Sequence, residues 1–527
     1  MSENLPRVTY TDNPADMTPL HLHLDNVLEG LDDTYLGKEF GHFINGEWVA
    51  GSKHYEVYSP ADSARFMGTF SDATEAEIDQ AVTAARAAFG EWRTASWQQR
   101  VAAMRKVADV LEERRHELGM IILHEVGKSR MEAMGEAEEV LAFIRYYCDT
   151  VEENQGYAHP NLQLSSSEST FNCFRPHGVF AVVSPFNFPV GLATSMLTGA
   201  ILGGNAVVLK PSQANARSVL FFAEAAQAAG LPQGLLNVVT GGAEAGEALV
   251  SHAGIDGIAF TGSRRVGMKL HRDVANGPYV RPVIAELGGK NSSFVTKSAN
   301  LADAAKGVAS AAFGLQGQKC TACSRVFVEK SVAKEFVELL QREAAGMTIG
   351  HPTDKTAYLG PVIDERAGQR YLEAVAEAEK VGTVAFGGKR KTGGIFDRGW
   401  YLEPTIVTGV PFDHWLNQEE LFVPFLSVVE CDDLASAVEA SNRSPYGLGS
   451  GVYTRDQAEL DYFLNHIEAG VLYANRSSSA TTGAWPGAQS FCGWKGSGHT
   501  GKGGMGPNYI TQFMREQSHT LAKIEML

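Results

Sequence analysis

Between Val179 and Val274 short apolar runs alternate with longer helix-patterned ones, and few architectures accept that rhythm. Val179-Phe180-Ala181-Val182-Val183 reads as a strand and Val190 to Leu202 as a helix. The pattern repeats as strand 206–209, helix 218–229, strand 236–239, helix 244–252, strand 257–260 and helix 266–274. Short apolar strands separated by helices predict a parallel sheet covered on both faces. Pro282 to Lys290 adds a strand ending in a glycine turn, and a second alternation runs to about residue 472. The expected class is therefore α/β, with a Rossmann-like first sheet and a second α/β unit. Ligands of such sheets sit beyond the C-terminal ends of the strands.

The remaining segments read differently. Residues 1 to about 37 are expected to be an extended leader wrapped on the body. Ile44-Asn45-Gly46-Glu47-Trp48-Val49 predicts a hairpin, Asn-Gly supplying the positive φ angles. Apolar residues at helical spacing predict helices over 75–89, 97–115, 116–126 (capped by Gly127) and 130–155. Asn161 to Pro176, rich in Ser, Thr and alternating aromatics, predicts an extended β segment. Ser477 to Pro507 is glycine-rich and irregular and precedes a β-like tail.

With 527 residues the chain has room for two or three domains. Its 45 basic and 61 acidic residues give −16, with no basic stripe, which argues against a nucleic-acid partner. Met1 to Thr18 has neither a secretory nor a transit pattern. The most apolar stretch, Val179 to Leu209, is broken by Pro185 and Pro189, so no membrane span is expected. Six cysteines in so long a chain make no disulfide framework, and a reducing cytoplasmic setting follows.

Chemistry concentrates around Gln316-Gly317-Gln318-Lys319-Cys320-Thr321-Ala322-Cys323-Ser324-Arg325. A helix over Leu301 to Phe313, capped by Asn300 with Asp303 in its first turn, leads in; a strand over Arg325 to Val328 leads out. A cysteine in that connection is either a small buried thiol or a nucleophile open to a ligand. Polar and glycine positions also fall at the strand ends: Ser184 to Pro189, Lys210-Pro211-Ser212-Gln213, Gly241-Gly242 and Thr261-Gly262-Ser263. Free amides at the helix opened by Gly262 and Ser263 suit a pyrophosphate, although no GxGxxG is present. Cys320 and Cys323 form a CxxC, but no second CxxC or paired His follows, so no metal is expected. Cys323 is read as packing, and Cys148, Cys173, Cys431 and Cys492 as structural.

Ser184 to Pro189, Phe260-Thr261-Gly262-Ser263, Glu286-Leu287-Gly288-Gly289-Lys290, Gly317 to Cys320 and Glu419 to Pro424 occur in one order at fitting separations. From about residue 40 onward the chain resembles the aldehyde dehydrogenase superfamily. The resemblance implies that Cys320 is the nucleophile, that Asn187 and the Cys320 N–H bind the oxyanion, and that Glu286 activates water against a thioester. Taken alone, Asn187 reads as a turn residue and Glu286 as a paired structural carboxylate. The resemblance further places Lys210 at the adenosine ribose, Ser263 at the pyrophosphate, and Glu420 and Phe422 at the nicotinamide riboside. Ser184, Pro185, Phe186, Ser212, Gln213, Gly241, Gly262 and Leu287 complete the implied cofactor set. Neutral Gln213 stands where a glutamate would repel a 2′-phosphate, so NAD is expected and NADP is possible. Val423 replaces the glycine usual after that phenylalanine.

The nucleophile segment and Asn475-Arg476, Gly483-Ala484, Phe491-Cys492-Gly493 and Gly503 to Tyr509 are similar to the 1-pyrroline-5-carboxylate (glutamate semialdehyde) dehydrogenases. That similarity implies an α-carboxylate anchor of Thr321, Gly483 and Ala484, and apolar walls of Phe188 and Phe491. Thr321 replaces the usual Ser, the 477–482 loop is long, and Ser490-Phe491-Cys492-Gly493 replaces Pro-Phe-Gly-Gly. These departures leave another small carboxylated semialdehyde open as substrate. A CoA-acylating enzyme would not need Glu286, and a non-catalytic structural role would not need the nucleophile, base and oxyanion donor together. The implied division is a leader 1–37, a dinucleotide-binding domain 38–159 and 177–287, and a catalytic domain 288–476. Residues 160–176 and 477–527 would form a substrate-anchor loop and a β-arm of a homodimer or larger even homo-oligomer.

Overall fold

Two seven-stranded sheets carry the site, and helices and a small arm are built around them. The computed structural model describes residues 5–10, 16–477, 482–498 and 501–523. The extended leader is corrected at once: helix α1 spans Thr18–Tyr35. Leu20, Leu24 and Leu31 recur on one face of it and are fully buried. Pro14 and Pro19 favour an extended reading, yet Pro19 sits in the first turn, where a helix tolerates proline.

Strand β1 (Lys38–Phe40) is followed by the hairpin β2 (His42–Ile44) and β3 (Glu47–Val49). Asn45 (φ 54°) and Gly46 (φ 79°) form its turn. β5 (Asp62–Ser71) pairs with β1 on one side and β4 (His54–Ser59) on the other in a small separate sheet. Four helices follow: α2 (Glu75–Trp92), α3 (Trp97–Glu113), α4 (Arg115–Val126) and α5 (Arg130–Glu153). Gly127 ends α4 in the left-handed conformation (φ 80°).

β6 (Ala158–Pro160) and β7 (Glu168–Pro176) join the tail strand Met514–Ala522 in a three-stranded antiparallel sheet. Its register runs from Pro176↔Met514 to Glu168↔Ala522. The expected extended segment is thus shorter than 161–176, because residues 161–167 carry no strand. The arm sheet itself starts at Ala158.

The first large sheet contains β8 (Val179–Val183), β9 (Ala206–Lys210), β10 (Leu236–Val238), β11 (Gly257–Thr261) and β12 (Val283–Glu286). Between them run α6 (Pro189–Leu202), α7 (Ala216–Ala228), α8 (Ala243–Ser251) and α9 (Arg264–Ala275). The order is β12-β11-β8-β9-β10-β2-β3, parallel from β12 to β10 and closed by the antiparallel hairpin. The chain reverses its direction of winding between β8 and β11, so the loops after these strands flank a crevice. α6 is buried on all sides, with Val190, Leu197 and Ile201 at 0% exposure. Each such aliphatic side chain contributes about 1.5–3 kcal/mol on burial, which fixes the turn preceding α6.

The second sheet contains β13 (Asn291–Val295), β14 (Cys323–Glu329), β15 (Thr383–Phe386), β16 (Thr405–Thr408), β17 (Phe425–Cys431) and the strands Gly449–Tyr453 and Val471–Ala474. Helix α10 (Leu301–Phe313) crosses from β13 to β14. Only β15 runs antiparallel to its neighbour in this sheet. The fold is mixed α/β with parallel-strand sheets. Among the described residues no helix is long and apolar enough to cross a membrane.

Candidate active site

Cys320 lies in the connection from α10 to β14, where the backbone is unusual. Leu315 (φ 50°), Gln316 (φ 54°) and Gly317 (φ 69°) are successively left-handed. Each non-glycine residue there costs about 1–2 kcal/mol, and the neighbours compensate. The Gln316 amide, with its oxygen toward the Gly360 N–H, donates to the carbonyls of Leu315 and Pro361. A Cβ on Gly317 would lie 2.4 Å from the Val423 carbonyl oxygen, so only glycine fits. Gln318 Oε1 accepts the Ile363 N–H (3.0 Å). Asn291, at the start of β13, donates through Nδ2 to the carbonyls of Cys320 (2.7 Å) and Ala322 (2.9 Å). Its Oδ1 accepts the Gly449 N–H (2.8 Å). Asn291 therefore staples the Cys320 segment to two strands of the second sheet.

Asn187 sits between β8 and α6, and its Nδ2 donates to the Gln318 carbonyl (2.8 Å). A side-chain amide has a second N–H to offer. The turn holding it is clamped from α5. Glu136 Oε1 accepts the N–H groups of Val190 and Gly191, both at 3.0 Å, at the positive end of α6. Glu136 Oε2 accepts from Lys128 Nζ (2.6 Å), with both side chains fully buried. The same ammonium lies 3.5 Å from the centre of the Phe188 ring.

Glu286 ends β12. Burial pushes its carboxyl up to about 8, partly offset by the Gly493 N–H, which donates to Oε2 at 3.2 Å. Leu287 N–H donates to the Ser497 carbonyl (2.8 Å), so the C-terminal stretch is laid across this strand end. The Cys320 side chain is reachable from a cavity, yet protein atoms around it displace most hydrating water. Burial first, then the carboxylates of Glu286 and Glu420, push its thiol up to about 12; the N–H groups of Thr321 and Cys320 offset part of this. Cys323 is buried at the start of β14, with its Sγ 3.3 Å from Ser293 Oγ.

The cavity beside Cys320 is lined by Phe188, Thr321, Ala484 and Phe491 among the expected substrate residues. Gly483 (φ 82°) instead packs beside Arg476, where a Cβ would lie 2.6 Å from the guanidinium. The Ala484 N–H donates to Thr482 Oγ1 (3.1 Å). Of the long loop expected over 477–482, residues 478–481 lie outside the described residues. Tyr10, Glu139, Lys319 and Thr482 also line the cavity, and sequence reasoning missed them. Burial, then the Glu136 charge, pushes Glu139 up to about 8, with Lys128 and the Tyr10 hydroxyl opposing. Glu132, Glu136 and Glu139 stand at i, i+4 and i+7 on α5, a one-face acidic spacing that could have flagged them. Lys319 pairs with Glu132 at 3.2 Å.

The remaining site residues gather at the strand ends of the first sheet and the facing loop 419–424. Lys210 Nζ donates to the carbonyls of Pro211 (2.7 Å) and Gly241 (2.9 Å), which leaves one N–H. Burial lowers it to about 8. Ser212 Oγ accepts the Ala214 N–H (3.3 Å) and opens the turn holding Gln213, whose side chain reaches toward Gly242. Ser263 Oγ caps α9 through the Val266 N–H (3.4 Å), next to Gly262. Leu287 packs against Gly267 on α9, where a Cβ would lie 2.3 Å from its Cδ2. Ser184 Oγ is buried without a partner among the described residues. Glu420 Oε1 accepts the Gly289 N–H (2.8 Å), and burial pushes its carboxyl up to about 7. The Phe186 and Phe422 rings, after Pro185 and Leu421 respectively, meet edge-on at 5.8 Å and 74°. Phe422 takes the positive φ (58°) beside Val423, which itself is buried.

The aldehyde dehydrogenase family model matches residues 48–519. The chain is 34% identical over 498 residues to 1-pyrroline-5-carboxylate dehydrogenase 1 of Halalkalibacterium halodurans, covering 93% of this chain and 94% of that one. It is 35% identical over 442 residues to the alpha-ketoglutarate semialdehyde dehydrogenase of Haloferax volcanii, covering 82% and 90%. Among solved structures, 1-pyrroline-5-carboxylate dehydrogenase from Thermus with bound NAD superimposes with a TM-score of 0.92 at 30% identity, covering 97% of this chain and 99% of that one. With most of its length matched in each comparison, the chain belongs to the aldehyde dehydrogenase family.

Proposed function

We propose that this enzyme oxidises L-glutamate 5-semialdehyde, the open form of 1-pyrroline-5-carboxylate, to L-glutamate with NAD. The observation that carries the substrate is the cavity itself, in which Cys320 and Thr321 share walls with the buried carboxyl of Glu139. The Thr321 hydroxyl and the amides of Gly483 and Ala484 suit an α-carboxylate, once the Ala484 N–H leaves Thr482. Glu139, uncharged when the cavity is empty, gains a reason to ionise when an α-ammonium enters. That favours an amino-acid semialdehyde over its 2-oxo analogue, the substrate class named for the Haloferax relative.

In this reading Cys320 gives its proton to solvent water and its thiolate attacks the aldehyde carbon, while its own N–H and the second N–H of Asn187 donate to the developing oxyanion. Bound NAD supplies the hydride acceptor that turns the thiohemiacetal into a thioester. Glu286 then takes a proton from the water that cleaves the thioester, releasing the acid and the thiol. The dinucleotide site fits the residues present. The start of α9 at Gly262 and Ser263 suits a pyrophosphate, the unused Lys210 N–H and Glu420 suit ribose hydroxyls, and the buried Ser184 hydroxyl and the edge-on Phe186–Phe422 pair suit the polar and apolar parts of a nicotinamide riboside. Ser212 shapes the turn of Gln213, and Gly241 and Leu287 pack beneath; neutral Gln213 leaves NADP acceptable. Residues 38–159 with 177–287 would bind the cofactor, and 288–476 would carry the nucleophile. Exposed Leu162 (80%) and Leu164 (90%) in the connection between β6 and β7, and Leu521 (52%) on the tail strand, favour a homodimer or larger even assembly. Six free cysteines fit a reducing, cytoplasmic setting.

The test is kcat/KM on glutamate semialdehyde, its 2-oxo analogue, succinate semialdehyde and hexanal, with NAD and NADP. The amino substrate should lead, and Glu139→Gln should erase most of its margin over the 2-oxo analogue. A wild-type preference for the 2-oxo or uncharged aldehydes would overturn the substrate.

A further inference from the structure

The N-terminal segment reaches the cavity, and nothing in the chemistry above uses it. Val8 is buried in the main core (1% exposed), and Arg7 pairs with Glu112 on α3. Between this anchor and α1 the Tyr10 ring enters the cavity wall with Cys320 and Thr321. It meets Phe188 edge-on at 6.0 Å and Trp485 at 5.9 Å. Its hydroxyl donates to Glu139 Oε2 at 3.1 Å. Burial, the largest influence on the phenol, keeps it protonated and able to donate. Helix α5 is cleared for the ring: a Cβ on Gly135 would lie 2.7 Å from Tyr10 Cε1.

We propose that Tyr10 is a specificity-determining residue, whose ring limits the length of aldehyde the cavity accepts and whose hydroxyl holds Glu139 for the substrate. The first half needs only the family chemistry; the second rests on the glutamate semialdehyde reading. A ring touching Phe188 and Trp485 at once occupies space that a longer alkyl chain would need. A hydroxyl on one carboxyl oxygen leaves the other to face an ammonium.

Two variants separate the roles. In Tyr10→Ala the ratio of kcat/KM for octanal to that for propanal should rise at least about tenfold, since a few methylenes in an apolar pocket are worth that much. Tyr10→Phe keeps the ring, so the ratio should stay within about twofold of wild type, while KM for glutamate semialdehyde rises about fivefold or more from the lost hydrogen bond. An unchanged ratio in Tyr10→Ala, or equal losses on every aldehyde in both variants at unchanged melting temperature, would overturn the assignment. If Tyr10→Ala does not fold, Tyr10→Leu, which keeps the segment apolar but shortens the wall, is read by the same ratio and judged the same way. Should wild type not oxidise glutamate semialdehyde, the substrate reading falls while the aldehyde ratio still decides the role of the ring.

Discussion

Replacing Glu286 by Gln removes a base while changing almost nothing else. The glutamine carbonyl can still accept the Gly493 N–H that now meets Glu286 Oε2 at 3.2 Å, so the C-terminal stretch keeps its seat. What disappears is a group that can take a proton from water. A positioned general base supplies about 10²–10⁴ in rate, or about 3–5 kcal/mol of barrier. Steady-state turnover of Glu286→Gln should therefore fall by about 10²–10⁴. The thiol step should not fall with it. A charge on Glu286 opposes the thiolate of Cys320, so neutral glutamine eases ionisation rather than hindering it. The expected record in a stopped-flow trace is a burst of NADH at wild-type rate or faster, equal to the active sites, followed by almost nothing. Because the wild-type carboxyl is held at about 8, its base form grows about tenfold per pH unit below that value and levels off above it. The wild-type steady state should climb between pH 6 and 8, and the variant should lack that limb. Turnover within threefold of wild type would refute the assignment of Glu286 to water. Loss of the burst together with turnover would show that Glu286 is needed to ionise the thiol instead.

Asn187→Ala should lower kcat/KM by about 10²–10³ with little change in KM, the usual cost of one oxyanion donor; steady-state kinetics on any accepted aldehyde reads it, and a loss under fivefold would remove Asn187 from that role. Lys128→Met leaves the Glu136 charge buried with only the two α6 amides, which should cost about 3–5 kcal/mol in chemical denaturation. Adding Glu136→Gln should recover part of that loss, and a cost below about 1 kcal/mol would mean the pair is not holding α6. Gln213→Glu places a charge beside the ribose position and should lower the NADP-to-NAD ratio of kcat/KM at least about tenfold; an unchanged ratio would show that the side chain faces elsewhere.

The strand–helix alternation was legible because a covered parallel sheet forces continuous apolar strands, and Leu301 to Phe313 was placed to the residue by its Asn300 cap. The first 37 residues were not. Prolines and acids there read as extended chain, while Leu20, Leu24 and Leu31 form a helical face whose value lies entirely in packing on the body. The proposed catalytic positions were singled out through ordered motifs, each at an element end where local chemistry is distinctive. Glu139 and Tyr10 were invisible for the opposite reason. Glu139 is one acid among several on a long helix, and its role depends on which face the fold turns inward. Tyr10 lies far from Cys320 in sequence and carries no turn, cap or period.

The raised proton affinities of Cys320 and Glu286 also set an order of events. With burial holding the thiol at about 12 and the carboxyl at about 8, each negative charge makes the other harder to form. A site that needed thiolate and carboxylate together would work against itself. The chemistry needs them in turn. Once the sulfur has become a thioester it carries no charge, so no thiolate opposes Glu286 at the proposed water step, and burial is what its ionisation still works against. The Gly493 N–H then remains as the partner stabilising that carboxylate. Burial thus does not disable the pair. In the proposed sequence the base acts only after the nucleophile, and the Glu286→Gln burst is the direct measure of that separation.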